Sequence, residues 1–358
     1  MTDPGQRLRS SLTAEQSASA VEFDSPIAME ALRATQVLHA ADQEPFPVPG
    51  RIRVITIANQ KGGVGKTTSS VNLGVALALY GLRTLVIDLD PQGNTSTALG
   101  VPHSVGTPSV YDALVGDSSL AEVVHPTTAT PLLSCVPATI DLAGAEIELV
   151  SVVAREYRLR RAIETHLQEL PPEQRPHYVL IDCPPSLGLL TLNALVAGDE
   201  VLIPIQCEYY ALEGLGQLLN NIDLVRRHLN PGIAVRTILL TMYDGRTKLA
   251  DQVAEEVRNH FGSLVLDAVI PRNVRVSEAP GYGQSVVTYD PGSRGSTSYV
   301  EAARELAHRG VALPPLPSRP TPGSPVAAPV GSATDVMAFP DTDAATVPVP
   351  PSSEENKA

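Results

Sequence analysis

Residues 59–68 read NQKGGVGKTT, and the reading of this stretch decides the fold. A common phosphate-binding loop has a glycine, four residues of any kind, then Gly-Lys-Ser/Thr. Counting back from Gly65-Lys66-Thr67, the first glycine belongs at position 60, where Gln60 stands, followed by an extra lysine, Lys61. The surroundings still suit a phosphate cradle. RVITIAN (53–59) is an apolar strand-like run, and KTTSSVNLGVALALYG (66–81) is an alanine-rich helical stretch ending at Gly81. A glycine loop that joins a strand to a helix is the context the motif needs. Gly62, Gly63 and Gly65, with Val64 among them, let backbone N–H groups turn inward around an anion, and the helix N-terminus adds partial positive charge. Lys66 can reach the β- and γ-phosphates, and the Thr67 hydroxyl, followed by Thr68, is placed to ligate Mg²⁺. Lys61 to Thr68 is thus the expected nucleotide cradle.

Working outward, apolar runs at 84–90, 178–184, 200–206, 235–241 and 263–270 alternate with helical stretches at 156–169, 187–197, 210–229, 247–260 and 297–309. Continuous rather than alternating apolar runs are what a parallel sheet covered on both faces requires. Strand–helix alternation predicts a doubly wound, mostly parallel α/β sheet. Two of the strands end in acids. VIDLDPQGN (86–94) carries Asp88 and Asp90, and LIDCPP (180–185) carries Asp182. Acids at the carboxyl ends of parallel strands face the crevice where such sheets bind ligands, and hard Mg²⁺ prefers carboxylate and water oxygens. Asp182 reads as a metal-holding acid, acting through water. Asp88 reads either as a second acid near the metal or as a cap for the next helix. Asp90 lies in the loop and could orient an attacking water.

Composition bounds these readings. The chain has 358 residues, 43% of them hydrophobic, with no tryptophan and three cysteines. The core must therefore be aliphatic. Cys135, Cys183 and Cys207 are too few and scattered for a disulfide framework or a metal cluster, which favours a reducing cytosol. Residues 1–22 contain no apolar h-region, so no signal peptide is expected, and no run approaches the ~20 apolar residues that span a bilayer. Net charge is −13, of which the first fifty residues supply seven acids against three bases and the last 45 supply five against two. Any DNA contact would need a local basic patch. The expected organisation is a flexible extension over 1–50 with a possible short helix at 26–41, one folded domain over 51–313, and a disordered Pro/Ala-rich acidic tail over 314–358.

KGGVGKTT, VIDLDPQGN, LIDCPPSLG and IPRNVRVSEAPGYGQSV, in that order, closely resemble the ParA/Soj-type chromosome-partitioning ATPases. These belong to the deviant Walker A group of P-loop ATPases. The resemblance covers roughly residues 52–310 and implies a homodimer when ATP is bound. In that family the early lysine crosses the dimer interface to the other subunit's nucleotide, so Lys61 would act much as an arginine finger supplied in trans. Position by position, the resemblance gives Lys61, Lys66 and Asp90 the catalytic roles, and Thr67, Asp88 and Asp182 the metal. It puts the adenine near Pro271 and Asn273, and Glu208, Tyr209 and Tyr210 along the dimer seam.

The resemblance also implies binding of double-stranded DNA without sequence preference, through Arg246, Arg272 and Arg275 with Lys248 as helper. Hydrolysis would be stimulated by a centromere-binding ParB-type protein, and the protein would be cytoplasmic and nucleoid-associated. The bland alternative pairs Arg246 and Arg275 with Asp244, Asp251 and Glu278. A MinD-type membrane ATPase needs a basic amphipathic C-terminal helix, which the acidic tail lacks. An iron–sulfur electron-transfer ATPase needs two cysteines at the dimer face, and Cys183 sits wrongly for that. A nucleotide-switched adaptor without significant turnover is the remaining alternative. Fifty residues with one helix candidate are too short for the winged-helix domain of plasmid-type relatives. The flanks could engage a polar scaffold partner.

Overall fold

The computed structural model describes residues 44–208 and 215–313. The helix expected at 26–41, the tail from 314 onward, and Tyr209 and Tyr210 lie outside them. The eight strands are β1 (Arg53–Ile57), β2 (Thr84–Asp88), β3 (His125–Pro126), β4 (Leu133–Val136), β5 (Tyr178–Asp182), β6 (Glu200–Gln206), β7 (Ala234–Tyr243) and β8 (Val265–Pro271). They form one sheet in the order β3-β4-β2-β5-β1-β6-β7-β8. Every pairing is parallel except that of the two-residue edge strand β3 with β4.

All residues of β1, β2 and β5 are buried. Successive side chains go to opposite faces: Val179 and Ile181 join one apolar cluster and Leu180 the other. The six long strands fall where the apolar runs predicted them. β3 and β4 did not stand out, being two and four residues long.

The helices of the site are α1 (Lys66–Leu79), α2 (Asn94–Ala98) and, farther along, α3 (Val110–Leu114), α4 (Leu120–Val123) and α5 (Leu142–Glu148). They are followed by α6 (Arg158–Glu169), α7 (Leu189–Ala197), α8 (Leu215–His228), α9 (Lys248–Phe261), α10 (Val274–Glu278), α11 (Val286–Tyr289) and α12 (Arg294–Val311). Helix α1 is buried almost all round, from Ser69 to Ala78, which is why its sequence lacks a polar stripe. It can lie close on the sheet because Gly74 faces Val86, whose Cγ2 would be 2.9 Å from any Cβ placed there.

The folded unit extends upstream of residue 51. Phe46 is buried and stacks on Tyr80 with ring centroids 4.3 Å apart, and Gly50 N donates to Gly310 O. Beside it, Arg53 is buried against Glu200 at 2.6 Å and donates to Leu306 O, fastening β1 to β6 and α12. This end of the sheet is bolted by ion pairs, and the loops of the opposite, carboxyl end carry the site. Among the described residues no helix is long and apolar enough to cross a membrane.

Candidate functional site

The phosphate loop leaves β1 at Ile57 and enters α1 at Lys66. Asn59 starts it: its amide donates to Pro204 O at 2.8 Å, and its Oδ1 accepts from Lys61 N at 3.0 Å. Gly63 and Gly65 have φ of +73° and +90°, a region where a Cβ is strained. A Cβ on Gly62 or Gly63 would meet nothing within 4 Å, so the crest of the loop faces open space. Gly65 precedes α1 with no side-chain cap, which leaves the first N–H groups of the helix to an incoming anion.

Lys66 is 7% exposed, and its Nζ donates to Lys61 O at 3.3 Å. Burial lowers its pKa, and the nearby carboxyls of Asp182 and Asp90 oppose that. Lys61 behaves differently. Its side chain is 37% exposed and its Nζ lies 3.7 Å from Glu208 Oε2, on the rim. The two lysines of the motif therefore diverge, one folded into its own loop and the other turned outward.

Asp88 and Asp182 are register partners at the ends of β2 and β5, and both are fully buried. Asp182 accepts hydrogen bonds from Ser70 Oγ at 3.0 Å and Thr95 Oγ1 at 2.7 Å. Asp88 Oδ2 accepts from Ser96 N and Ser96 Oγ at 2.9 and 2.7 Å, and Oδ1 accepts from Asp90 N at 3.1 Å. These bonds tie the start of α2 to β2 through Asp88, the arrangement that the capping alternative describes.

Burial, then repulsion from Asp182, raises Asp88 to about 8, while its Ser96 and Asp90 hydrogen bonds pull the other way. Burial raises Asp182 to about 6 against hydrogen bonds from Thr95, Thr67 and Ser70. Two adjacent desolvated carboxyls favour a shared proton or a cation. The donor set fits magnesium, with hard oxygens from the Thr67 hydroxyl and Asp182 beside a phosphate cradle. Among the described residues no cluster of three His, Cys, Asp or Glu side chains could hold a metal alone, and magnesium characteristically borrows ligands from substrate phosphates. Asp90, two residues beyond β2, is half-buried, and its Oδ1 accepts from Gln92 N at 3.0 Å.

The basic residues sit beyond the rim. Arg246 is 86% exposed and forks onto Asp244 at 2.8 and 2.7 Å. Arg272 reaches Glu208 at 3.3 Å, and Arg275 reaches Glu278 and Asp290 at 2.9 and 3.2 Å. Asp251 instead takes the hydroxyl of Tyr243. The bland pairing alternative thus holds for Arg246 and Arg275 in the free chain, yet such exposed pairs are weak and exchangeable. Lys248 is exposed at the start of α9.

The adenine assignment is the least supported by the geometry. Asn273 spends its Oδ1 capping α10 through Arg275 N at 2.8 Å. Pro271 lines a cavity of about 330 Å³ with Tyr243 and Arg294. Neither lines the cavity of about 380 Å³ beside Thr67 and Thr68, whose walls include Asn94, Thr97, Pro280 and Gln284. Three residues went unread in the sequence: Asn59 and Ser96, which hold the site, and Thr241, which stands behind the phosphate loop and donates its hydroxyl to Val64 O at 2.8 Å. Each is a small polar residue in or beside an apolar run, a pattern with many innocent explanations.

Comparison with known proteins places this geometry. A family described as an AAA domain matches residues 52–235. The sporulation initiation inhibitor protein Soj of Bacillus subtilis is 53% identical over 258 residues, covering 72% of this chain and 99% of that protein. The chromosome partitioning protein ParA of Myxococcus xanthus is 52% identical, covering 72% of this chain and 88% of that one. Among solved structures, cobyrinic acid a,c-diamide synthase of Mycobacterium smegmatis, with a bound ATP analogue and magnesium, is 37% identical with a TM-score of 0.61, covering 72% of this chain and 95% of that one.

Proposed function

The chain belongs to the ParA/Soj family of chromosome-partitioning ATPases, and from that premise we propose that it works as a nucleotide-gated dimer that grips DNA. It hydrolyses ATP with magnesium. The dimer, its DNA and its activating partner form the finer part of the reading.

The observation that carries it is the divergence of the two lysines. Lys66 and the uncapped N-terminus of α1 cradle the triphosphate of their own subunit. Thr67 and Asp182 would hold magnesium, which screens the phosphates and draws charge from the γ-phosphoryl group. Asp90, at the loop after β2, orients the attacking water. Lys61 already points away from its own cradle, with an exposed pairing to Glu208 to leave. In the dimer it reaches the partner's nucleotide and counters charge on the transferring group. The open crest at Gly62 and Gly63 permits close approach of a second copy.

Apolar side chains support a seam at this end of the sheet. Ile147, Val150 and Val153 are 78%, 63% and 88% exposed. They sit in or just past α5, whose Glu146 accepts from Leu190 N, close to exposed Leu187.

The ATP dimer binds double-stranded DNA without sequence preference through Arg246, Arg272, Arg275 and Lys248, as each neutralised phosphate releases counterions. Hydrolysis removes the γ-phosphate, the dimer opens and DNA is released. A centromere-binding ParB-type partner stimulates that step, and the protein acts on the nucleoid in the cytoplasm.

Light scattering on the full chain tests the core of the reading. With a non-hydrolysable ATP analogue and magnesium the mass should double, and Lys61→Ala should keep analogue binding but shift the dimer toward monomer by about tenfold, the scale of a charge-assisted hydrogen bond. A monomer at saturating analogue would sink it.

A further inference from the structure

Segments that the proposed cycle moves together converge on one short stretch, Thr241 to Tyr243, at the end of β7. The Thr241 hydroxyl donates to Val64 O at 2.8 Å, in the middle of the phosphate loop. Its Cγ2 lies where a Cβ on Gly65 would touch it, at 3.7 Å. The Thr241 carbonyl accepts from Cys207 N at 3.2 Å, next to Glu208, the partner of Lys61. The Tyr243 carbonyl accepts from Arg272 N at 2.9 Å. One residue on, Asp244 holds Arg246 by two hydrogen bonds of 2.8 and 2.7 Å.

Between these anchors stands Met242, with φ of +51°. That is the left-handed region, which a long side chain rarely occupies. The ladder of β7 with β8 loses register in the same place, between Leu240 and Tyr243. Strained backbone of this kind persists only where the surroundings over-determine it. Here the surroundings are the phosphate loop on one side and the two arginine-bearing loops on the other.

We infer that Thr241 and Met242 are positioning residues that couple the phosphate loop to Arg246 and Arg272, so that a triphosphate in the cradle changes how those arginines are presented to DNA. The inference rests on the reading of both arginines as DNA contacts. A shift of Val64 is passed to Thr241 through their hydrogen bond. Met242 is the residue whose backbone gains by leaving its present conformation. Its rotation carries the Tyr243 carbonyl with Arg272, and Asp244 with Arg246. The same rotation acts on the seam through the Thr241 carbonyl and Cys207.

DNA co-sedimentation of the full-length protein, with a non-hydrolysable ATP analogue and with ADP, tests this in wild type, Thr241→Val, Thr241→Ser and Met242→Gly. The quantity read is the ratio of DNA affinities in the two nucleotides, beside the affinity for a fluorescent ATP analogue. Thr241→Val keeps the shape of the side chain and loses the donor. It should keep nucleotide affinity within about twofold and lower the ratio about five- to tenfold, the size of one hydrogen bond. Thr241→Ser restores the donor and should restore the ratio. Met242→Gly removes the strain of the present conformer and should also lower the ratio.

Wild-type ratios in Thr241→Val and Met242→Gly overturn the inference while leaving the DNA reading intact. Nucleotide and DNA binding lost together in Thr241→Val would mean that Thr241 serves the loop alone, which also overturns it. A wild type that binds DNA equally in both nucleotides, or not at all, removes the underlying reading instead.

Discussion

At the residue scale, Asp88 and Asp182 decide how the nucleotide-free protein responds to pH. Each is raised above the ordinary carboxylate value of about 4, to about 8 and about 6. A raised carboxyl keeps its proton in the native state after the unfolded chain has lost it. Its stabilisation is therefore complete below about pH 4 and is lost as pH rises from there through the folded values, a window from about 4 to 8. Without nucleotide, urea unfolding should show stability falling from pH 5.5 to pH 8.5, and Asp88→Asn should flatten that fall. Parallel profiles for the two proteins would show that the pair does not hold the proton. Added magnesium and ATP favour the ionised pair, so they should stabilise the protein more at the upper end of the window. Sequence reading found both acids from their place at strand ends. It did not tell their roles apart, because the donors that fill Asp88 come from Ser96 and the Asp90 backbone, and nothing in VIDLDPQGN announces them.

At the scale of elements, what was legible follows from burial. The strands β1, β2 and β5 are buried on both faces, so they read as unbroken apolar runs, and α1 reads as a helix because alanine and leucine fill it. The edge was not legible: β3 and β4 are too short to show a period, and α2 to α5 have only four to seven residues each. Those short pieces are fixed by tertiary partners, such as Ser96 N on Asp88. The close seating of α1 on β2 was equally invisible, since a glycine inside a helix pattern looks like a defect. Gly74→Ala tests that seating. Alanine gains roughly 1 kcal/mol of helix propensity, but its methyl would lie 2.9 Å from Val86 Cγ2. Val86 is a buried, β-branched residue with little room to turn. Overpacking of about 1–3 kcal/mol should win, so thermal unfolding should move to lower temperature. A higher midpoint would mean that α1 sits less tightly than its contacts indicate.

For the whole molecule, the proposed grip on DNA asks how a chain of net charge −13 would hold a polyanion. The sequence places much of the excess in the flanks, and the described surface places Arg246, Arg272 and Arg275 on the loops around β7, β8 and α10, each facing a carboxylate it can exchange for phosphate. A monomer offers few such contacts. A dimer doubles them, so the affinity for DNA should depend on nucleotide through the number of subunits held together. Salt dependence counts the contacts directly, since the slope of log K against log salt changes by about 0.9 for each phosphate neutralised. Arg246→Ala removes one contact per subunit, and the slope measured with a non-hydrolysable ATP analogue should shrink by about two per dimer. Light scattering of the same variant should still find the dimer, because among the described residues Arg246 pairs with Asp244 and it lies outside the phosphate loop. An unchanged slope with weaker binding would assign Arg246 to local structure. A shrunken slope with the dimer gone would place it in the seam, and the basic surface would then have to be sought elsewhere on the molecule.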